Sequence, residues 1–379
     1  MGGAAPMGKA PRTPTGSQGS RCLGIIAGFV LKLGRQSAGV TQEQLAEAAG
    51  VDTTTVQGWE SGRRPLAAMQ IGDFVRLRAT LTRLGAPAAV GWHLNEAIEA
   101  DLVLAAAVDA SNRWIAPHQH PLAANVHRRS LTNLITWPIT GAMPAQLRSL
   151  ASTGRRRGPV ATRPVLYSDE QARFFEHMLT LTEQSTTPES ALLRRQAVYL
   201  LGFDGSADTR EWLRSEWRRA SQRRVADNDV PRLLEARSAS VALATLGERD
   251  VLDGFTARLS DHPRPEAANL NYWAYWIGEL RDDQVDDQFM LDTDPGSWGG
   301  VNLVQHLTQR VDPASPHLAL NLHTLCALIA SRPSLLTDWP HLRAPLAQAV
   351  EAGLSSNGLA RVERDQFAGL HYALRIADR

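Results

Sequence analysis

The stretch Thr41 to Gly62, TQEQLAEAAGVDTTTVQGWESG, constrains this chain most, because two sets of helix start and stop signals follow each other within it. Thr41 and Gln44 stand at the spacing of a capping box, in which the hydroxyl accepts from the N3 amide and the Gln side chain reaches back to the cap's own N–H. Leu45, Ala46 and Ala49 then recur at three- and four-residue steps on one face, and Gly50 supplies the left-handed residue that ends an α-helix. Asp52 is an N-cap type. It opens a second helix that turns Val56 and Trp59 inward and stops at Gly62. The spacing predicts two short helices joined by a glycine turn.

With its flanks, this stretch resembles the Cro/cI (XRE) type of helix-turn-helix DNA-binding domain. The residues that carry the resemblance are Thr41 to Ala46 on the first helix, Gly50 and Val51 in the turn, Val56, Trp59 and Glu60 on the second helix, and Gly62, Arg63, Arg64 and Pro65 after it. A domain of that type begins with a helix rich in Leu and Arg and ends with further apolar helices. Leu23 to Arg35 and Met69 to Leu84 fill those places, the latter with Phe74, Val75, Leu77 and Leu81 as its apolar positions. The first helix departs from the pattern in carrying Gly24, Gly28 and Gly34, each of which weakens a helix by up to about 1 kcal/mol relative to Ala. That helix is expected to depend on packing.

The resemblance implies that the N-terminal end of the second helix enters the major groove. Thr53, Thr54 and Gln57 are then the residues expected to read bases, with Thr55 beside them and Gln42 assisting from the previous helix. Gln pairs two-fold with adenine, and Thr offers a hydroxyl to several bases and a methyl to thymine. A Thr run after an Asp cap also serves capping and solvation, and that reading stays open beside the first. Arg63 and Arg64 suit phosphate oxygens, which fix register without reading sequence. Glu60 is implied to be structural, paired with an Arg of the domain, and Arg35 is the candidate.

Charge is distributed to match. Residues 1–165 hold 18 Lys and Arg against 9 Asp and Glu, whereas residues 166–379 hold 22 against 30. A basic front suits a phosphate backbone, and an acidic rear is expected to face away from the duplex. Nearly all the basic residues are Arg, which together with the abundance of Ala, Leu and Gly suggests a GC-rich bacterial genome. No run approaches the ~18 apolar residues of a membrane span. The first residues are rich in Gly, Pro and Ser without an apolar h-region, so they read as a flexible arm and not a secretion signal. Cys22 and Cys326 lack metal or redox spacing and read as reduced thiols in the cytoplasm.

The expected organisation is all-α. Residues 1–20 form a disordered arm and 21–85 the helix-turn-helix domain. Residues 86–140 form a helical linker or dimerisation region, in which Leu94, Ile98, Leu102 and Ala105 fall at helical spacing and Trp114 and Trp137 fill a small core. Residues 141–165, with Arg155, Arg156 and Arg157, form an Arg/Gly/Pro linker that either lies near DNA or is solvated. Residues 166–379 form a helical regulatory domain, an irregular α-solenoid or else a compact bundle. No fixed repeat period is visible.

Within the rear half, Tyr272, Trp273 and Trp276 place aromatics on neighbouring helix faces, suiting either a core or a candidate effector pocket. His118, His120 and His127 invite a zinc reading, but no Cys or nearby acid completes a tetrahedron, so no metal and no cofactor is expected. No phosphate loop, GxSxG or HExxH is present, and His323 with Cys326, one turn apart, lacks an orienting acid, so no catalytic residue is assigned and no enzyme is expected. The reading is a sequence-specific regulator of double-stranded DNA. It is expected to act as a homodimer on a symmetric operator, its rear half sensing a small-molecule, peptide or protein effector, with no membrane partner. The alternative is a helical protein-interaction scaffold tethered to DNA.

Overall fold

The computed structural model describes residues 24–109, 115–151, 162–221, 230–260, 263–291 and 298–378, with the side chains of Val230 and Pro231 left aside. The arm at 1–20, Cys22, Trp114 and the run Arg155 to Arg157 lie outside the described residues. Those residues form seventeen α-helices, several short 3-10 turns and no strand.

The first three helices follow the signals written in the sequence. They are α1 (Ile25–Ser37), α2 (Gln42–Ala49) and α3 (Thr53–Glu60). Thr41 Oγ1 accepts from Gln44 N at 3.2 Å while Gln44 Oε1 accepts from Thr41 N at 2.8 Å, so the capping box is complete. Gly50 ends α2 at φ 68°. Asp52 stands at the N-cap of α3, but its carboxylate makes no capping bond.

The glycines of α1 are explained by close approach. A Cβ on Gly28 would lie 2.3 Å from Trp59 O, and one on Gly34 would lie 2.6 Å from Val90 Cγ1. Their cost in helix propensity therefore permits backbone contact with the end of α3 and tight packing on α5 (Ala89–Asp109). The start of α1 has no side-chain cap of its own, Gly24 standing there at φ 117°. Asp101 of α5 supplies one from afar: its two carboxylate oxygens accept from Ile26 N at 2.9 Å and Ala27 N at 2.8 Å.

Between these lie a 3-10 turn at Leu66–Ala68 and α4 (Ile71–Arg83). Phe74, Leu77 and Leu81 are buried in α4, but Val75, expected among them, is 55% exposed. In α5 the buried line runs through Leu94, Ala97, Asp101, Leu104 and Val108, and Leu102, placed in the apolar stripe by sequence, is exposed. The error in α5 has a physical source. In an Ala- and Leu-rich helix the apolar residues cover most of the circumference, and the face is set by what packs on it.

The chain continues through α6 (Arg129–Thr140), α7 (Ser168–Gln184), α8 (Ala191–Leu201), α9 (Ala207–Ser221), α10 (Val230–Thr245), α11 (Asp250–Ser260) and α12 (Pro263–Trp276). It ends with α13 (Val301–Thr308), α14 (Leu318–Ser331), α15 (Leu335–Asp338), α16 (Arg343–Leu354) and α17 (Arg361–Ala377). Helices pack largely in chain order: α7 on α8, α8 and α9 on α10, α10 on α11, α11 on α14, and α14 on α17. One apolar core runs from Ile26 to Val251 and a second from Ala220 to Leu374. In the first, Trp137 of α6 meets Phe29 of α1 edge to face at 5.2 Å.

Hydrogen bonds stitch the two cores along one seam. Val126 N donates to Gln284 O at 2.7 Å, and Tyr275 Oη donates to Val126 O at 2.7 Å. The Arg128 guanidinium lies over the Tyr275 ring and pairs with Asp283 at 3.2 Å. No helix among the described residues is long and apolar enough to cross a membrane.

Candidate nucleic-acid interface

The face of α3 opposite its buried residues Val56 and Gly58 presents Thr54 and Gln57 to solvent, with Thr53 half-buried beside them. Arg63 and Arg64 follow, both exposed, and neither pairs with a carboxylate among the described residues. Arg64 is nonetheless held in place. Its N donates to Gly58 O at 3.0 Å, its stem lies where a Cβ on Gly58 would reach 3.0 Å, and its Nη1 donates to Thr55 Oγ1 at 2.8 Å. Thr55 thus orients a guanidinium, a different role from that of Thr54 and Gln57. Arg63 Nε donates to Ser61 Oγ at 3.2 Å.

Behind this face a buried polar cluster fixes the three helices to one another. Arg35 of α1 grips Glu60 of α3 with two hydrogen bonds, Nε to Oε1 at 2.5 Å and Nη2 to Oε2 at 3.1 Å, and its Nη1 donates to Val40 O at 2.7 Å. Gln42 Nε2 donates to the same Glu60 Oε2 at 2.6 Å. The pair implied for Glu60 is therefore present. Gln42 is drawn inward by it, so that its amide nitrogen serves the domain's interior.

Asp101 adds the remaining link. It is fully buried, and that burial pushes its carboxyl up to about 7 against the pull of the α1 amides that bond it. The arrangement is a short helix, polar at its exposed N-terminal end, followed by two free cations and braced from behind by ionic groups. Such a helix can enter a groove as a rigid body, with guanidiniums placed for the backbone on either side.

Residues 31–69 match the helix-turn-helix family model. The front of this chain is a Cro/cI-type helix-turn-helix domain. Domains of this type bind DNA, and the matched family is one of DNA-binding regulators and not of enzymes. No curated protein and no solved structure gives a significant match to the chain.

Outside the helix-turn-helix domain, Trp273 and Trp276 line a cavity of about 310 Å³ at the seam of the two cores. Tyr272 lies behind that wall, buried and stacked on Trp276 at 6.0 Å. Three arginines on the same wall escaped notice in the sequence: Arg129, Arg237 and Arg310. Nothing in the sequence sets Arg237 apart, since Arg232 and Glu235 share α10 with it. Asp101 likewise follows Glu96 and Glu99 in α5 and is distinguished only by its burial.

The histidines divide. His118 is exposed, whereas His120 is buried with its Nε2 3.1 Å from His177 Nε2, and His127 N donates to Gln196 Oε1 at 2.6 Å. Burial holds His120 and His177 down to about 4. It holds His127 down to about 3, with help from the nearby Arg195. His323 does have an acid partner, Glu266 Oε2 at 2.7 Å, which its sequence neighbourhood could not show. Cys326 turns away from it toward Gln366 O at 3.7 Å, and burial pushes the thiol up to about 12, far from a nucleophilic thiolate.

Proposed function

We propose that the chain is a sequence-specific DNA-binding regulator that acts as a homodimer on a symmetric operator, with the rear half carrying an effector site. The observation that carries the DNA reading is the exposed pair Thr54 and Gln57 on α3, flanked by uncompensated Arg63 and Arg64. Thr53, Thr54 and Gln57 are assigned to base edges, Arg63 and Arg64 to phosphates. Thr55 acts through Arg64, and Gln42 acts through Glu60.

A dimer is supported by the small size of one recognition helix, since two held a helical repeat apart multiply a modest affinity. It is supported as well by Trp92 and Leu102, which α5 leaves exposed. The effector reading rests on the cavity at the seam.

Selection of bound fragments from a bacterial genome of high GC content, by the purified full chain and by the double variant Thr54→Ala/Gln57→Ala, tests the proposal. Wild type should enrich a two-fold symmetric motif, and the double variant should lose it while keeping salt-sensitive binding. Each base contact removed is worth about 1–3 kcal/mol of discrimination. Binding without any motif, unchanged in the variant, would overturn the base-reading assignment and favour a protein scaffold tethered to DNA.

A further inference from the structure

Several buried arginines of the rear half are matched with carboxylates, and others bond backbone carbonyls, as Arg258 does with Ser221 O at 3.2 Å. Arg194 bonds Glu216 at 2.6 Å and Glu235 at 3.2 Å, Arg195 bonds Asp287 at 2.6 Å, and Arg214 bonds Glu248 at 2.8 Å. At the seam, Arg129 of α6, Arg237 of α10 and Arg310, just past α13, line one cavity, and no carboxylate among the described residues lines it with them. None of the three pairs with an acid among the described residues. In the adjoining cavity, which shares Arg129 and Trp276 with this one, the carboxylate of Glu96 is already engaged by Ser130 and His93.

Arg237 is the sharpest case. Its side chain is among the most buried in the wall, at 5% exposure, and its guanidinium lies over the rings of Tyr272 at 4.3 Å and Trp273 at 5.2 Å. Its Nε has no hydrogen-bond partner, and neither has the indole Nε1 of Trp273 in the same wall. A buried cation without a counter-ion is costly, by several kcal/mol even after relaxation. Arg310 is pulled down to about 10 by burial and by the repulsion of Arg129 and Arg148, so the Arg129 side of the cavity already carries excess positive charge. Three arginines and orphaned donors lining one half-open cavity are the arrangement of a site suited to an anion.

The remaining wall says what else the anion carries. Trp273, Trp276 and the His306 imidazole offer flat faces, and burial with the neighbouring Arg310 and Arg129 holds His306 down to about 3, hence neutral. Guanidinium forks match phosphate oxygens two at a time, and an indole face suits a planar ring. The cavity, at about 310 Å³, is at the small end of the ~300–1,000 Å³ range of ligand pockets. That leaves room for one ring system and one phosphate, not for a dinucleotide.

We infer that this cavity binds a small phosphorylated compound bearing a planar ring, of the mononucleotide class, with Arg129, Arg237 and Arg310 on the phosphate and Trp273 and Trp276 on the ring. This rests on the effector reading above and gives that effector its chemistry. The location supports a regulatory use. Arg129 stands on α6, whose Trp137 packs on α1 of the DNA-binding domain, while Arg237 on α10 and Arg310 after α13 belong to the rear half. A dianion bound to all three would draw the two sides of the seam together, and DNA affinity responds only if one arrangement of the seam binds DNA better.

The test uses the purified full chain with adenosine 5′-monophosphate, guanosine 5′-monophosphate, adenosine and inorganic phosphate, followed by calorimetry and by quenching of tryptophan fluorescence. At least one monophosphate should bind and quench, phosphate should compete with it, and adenosine should bind at least about tenfold more weakly, the loss of one charge-assisted contact or more. Arg310→Gln should weaken the monophosphate about tenfold or more and, by relieving repulsion, leave the thermal midpoint unchanged or raised, so a folding defect is not the cause. Trp276→Leu should weaken the monophosphate more than it weakens phosphate. Failure of both monophosphates and phosphate to bind, or binding that the Arg129→Gln/Arg310→Gln variant leaves intact, would overturn the inference.

Affinity for a selected DNA fragment, measured with and without the monophosphate, separates this inference from the reading beneath it. Binding that leaves DNA affinity unchanged upholds the ligand chemistry and removes the effector role. A response of DNA affinity to some other compound, with no phosphorylated compound bound, keeps the effector role and overturns the chemistry.

Discussion

Single residues carry the rigidity of the DNA-binding face. Glu60 is the acceptor for Arg35 and Gln42 together, and its side chain is 5% exposed against 10% for Arg35. Removing it leaves a largely buried guanidinium without its counter-ion, which in such pairs costs about 3–5 kcal/mol. Glu60→Ala should therefore lower stability by that order in denaturant unfolding and weaken DNA binding, although the Glu60 side chain is itself buried. A wild-type unfolding curve from Glu60→Ala would show that the pair is structurally idle. The Arg35–Glu60 partnership was accessible from sequence only through the resemblance, because the two lie 25 positions apart. The capping box of Thr41 and Gln44, by contrast, was legible directly, since its bonds join residues three apart. Arg129, Arg237 and Arg310 were not legible as a group. They come from two helices and the turn after a third, far apart in sequence, and only the fold brings them to one cavity.

Among the elements, α1 leans heavily on what surrounds it, because two interior glycines and an uncapped start weaken it alone. Gly28 lets its backbone approach the end of α3, and Asp101 of α5 closes its N-terminal amides. Gly28→Ala would normally strengthen an exposed helix by up to about 1 kcal/mol. Here the added methyl must displace the backbone of Trp59 and Glu60, so the sign reverses. The variant should melt earlier, and its loss of DNA binding should follow from a displaced α3. Asp101→Ala strips the acceptor from two buried amides, at about 1–3 kcal/mol for each group left unsatisfied. Asp101→Asn, which keeps one acceptor oxygen, should fall between it and wild type, and equal stabilities across the three proteins would refute the remote cap. Helix positions were readable from capping residues, glycines and prolines. The buried face of α5 was not, because alanines and leucines encircle that helix and the elements packed on it, chiefly α1, α6 and α7, decide which of them are covered.

For the molecule as a whole, neutral imidazoles at and near the seam make stability depend on pH. His120 and His177 are held down to about 4, and His127 and His306 to about 3, from 6.5 in the unfolded chain. Each is charged in the unfolded state before it is charged in the folded one. Above pH 6.5 both states are neutral and these groups contribute no slope. As pH falls from 6.5 toward 4 the unfolded chain takes up protons that the fold refuses, so stability drops by at most about 1.4 kcal/mol per imidazole per pH unit. Asp101, raised from 3.8 to about 7, works in the opposite direction, gaining a proton in the fold first over nearly the same window. His317 is held down as well, and burial raises Glu99, Asp253 and Glu279 only from ordinary values of 4.5 or below, so the imidazoles dominate and net loss of stability is expected as pH falls from 6.5 toward 5. His177→Gln removes one titrating ring while leaving an amide beside His120, and it should flatten the dependence of unfolding free energy on pH between about 6 and 4 by roughly one proton's worth. An unchanged slope would mean that His120 and His177 are not protonated only on unfolding, and that the pair already holds a proton in the folded protein. Acid sensitivity of this kind should appear as loosening between the two cores before the helix-turn-helix domain itself unfolds, because the ionic brace of Arg35 and Glu60 lies away from these imidazoles while His306 sits in the seam. Helical circular dichroism and tryptophan emission followed together down the pH series distinguish the two: Trp273 and Trp276 should report the change at higher pH than the helices do.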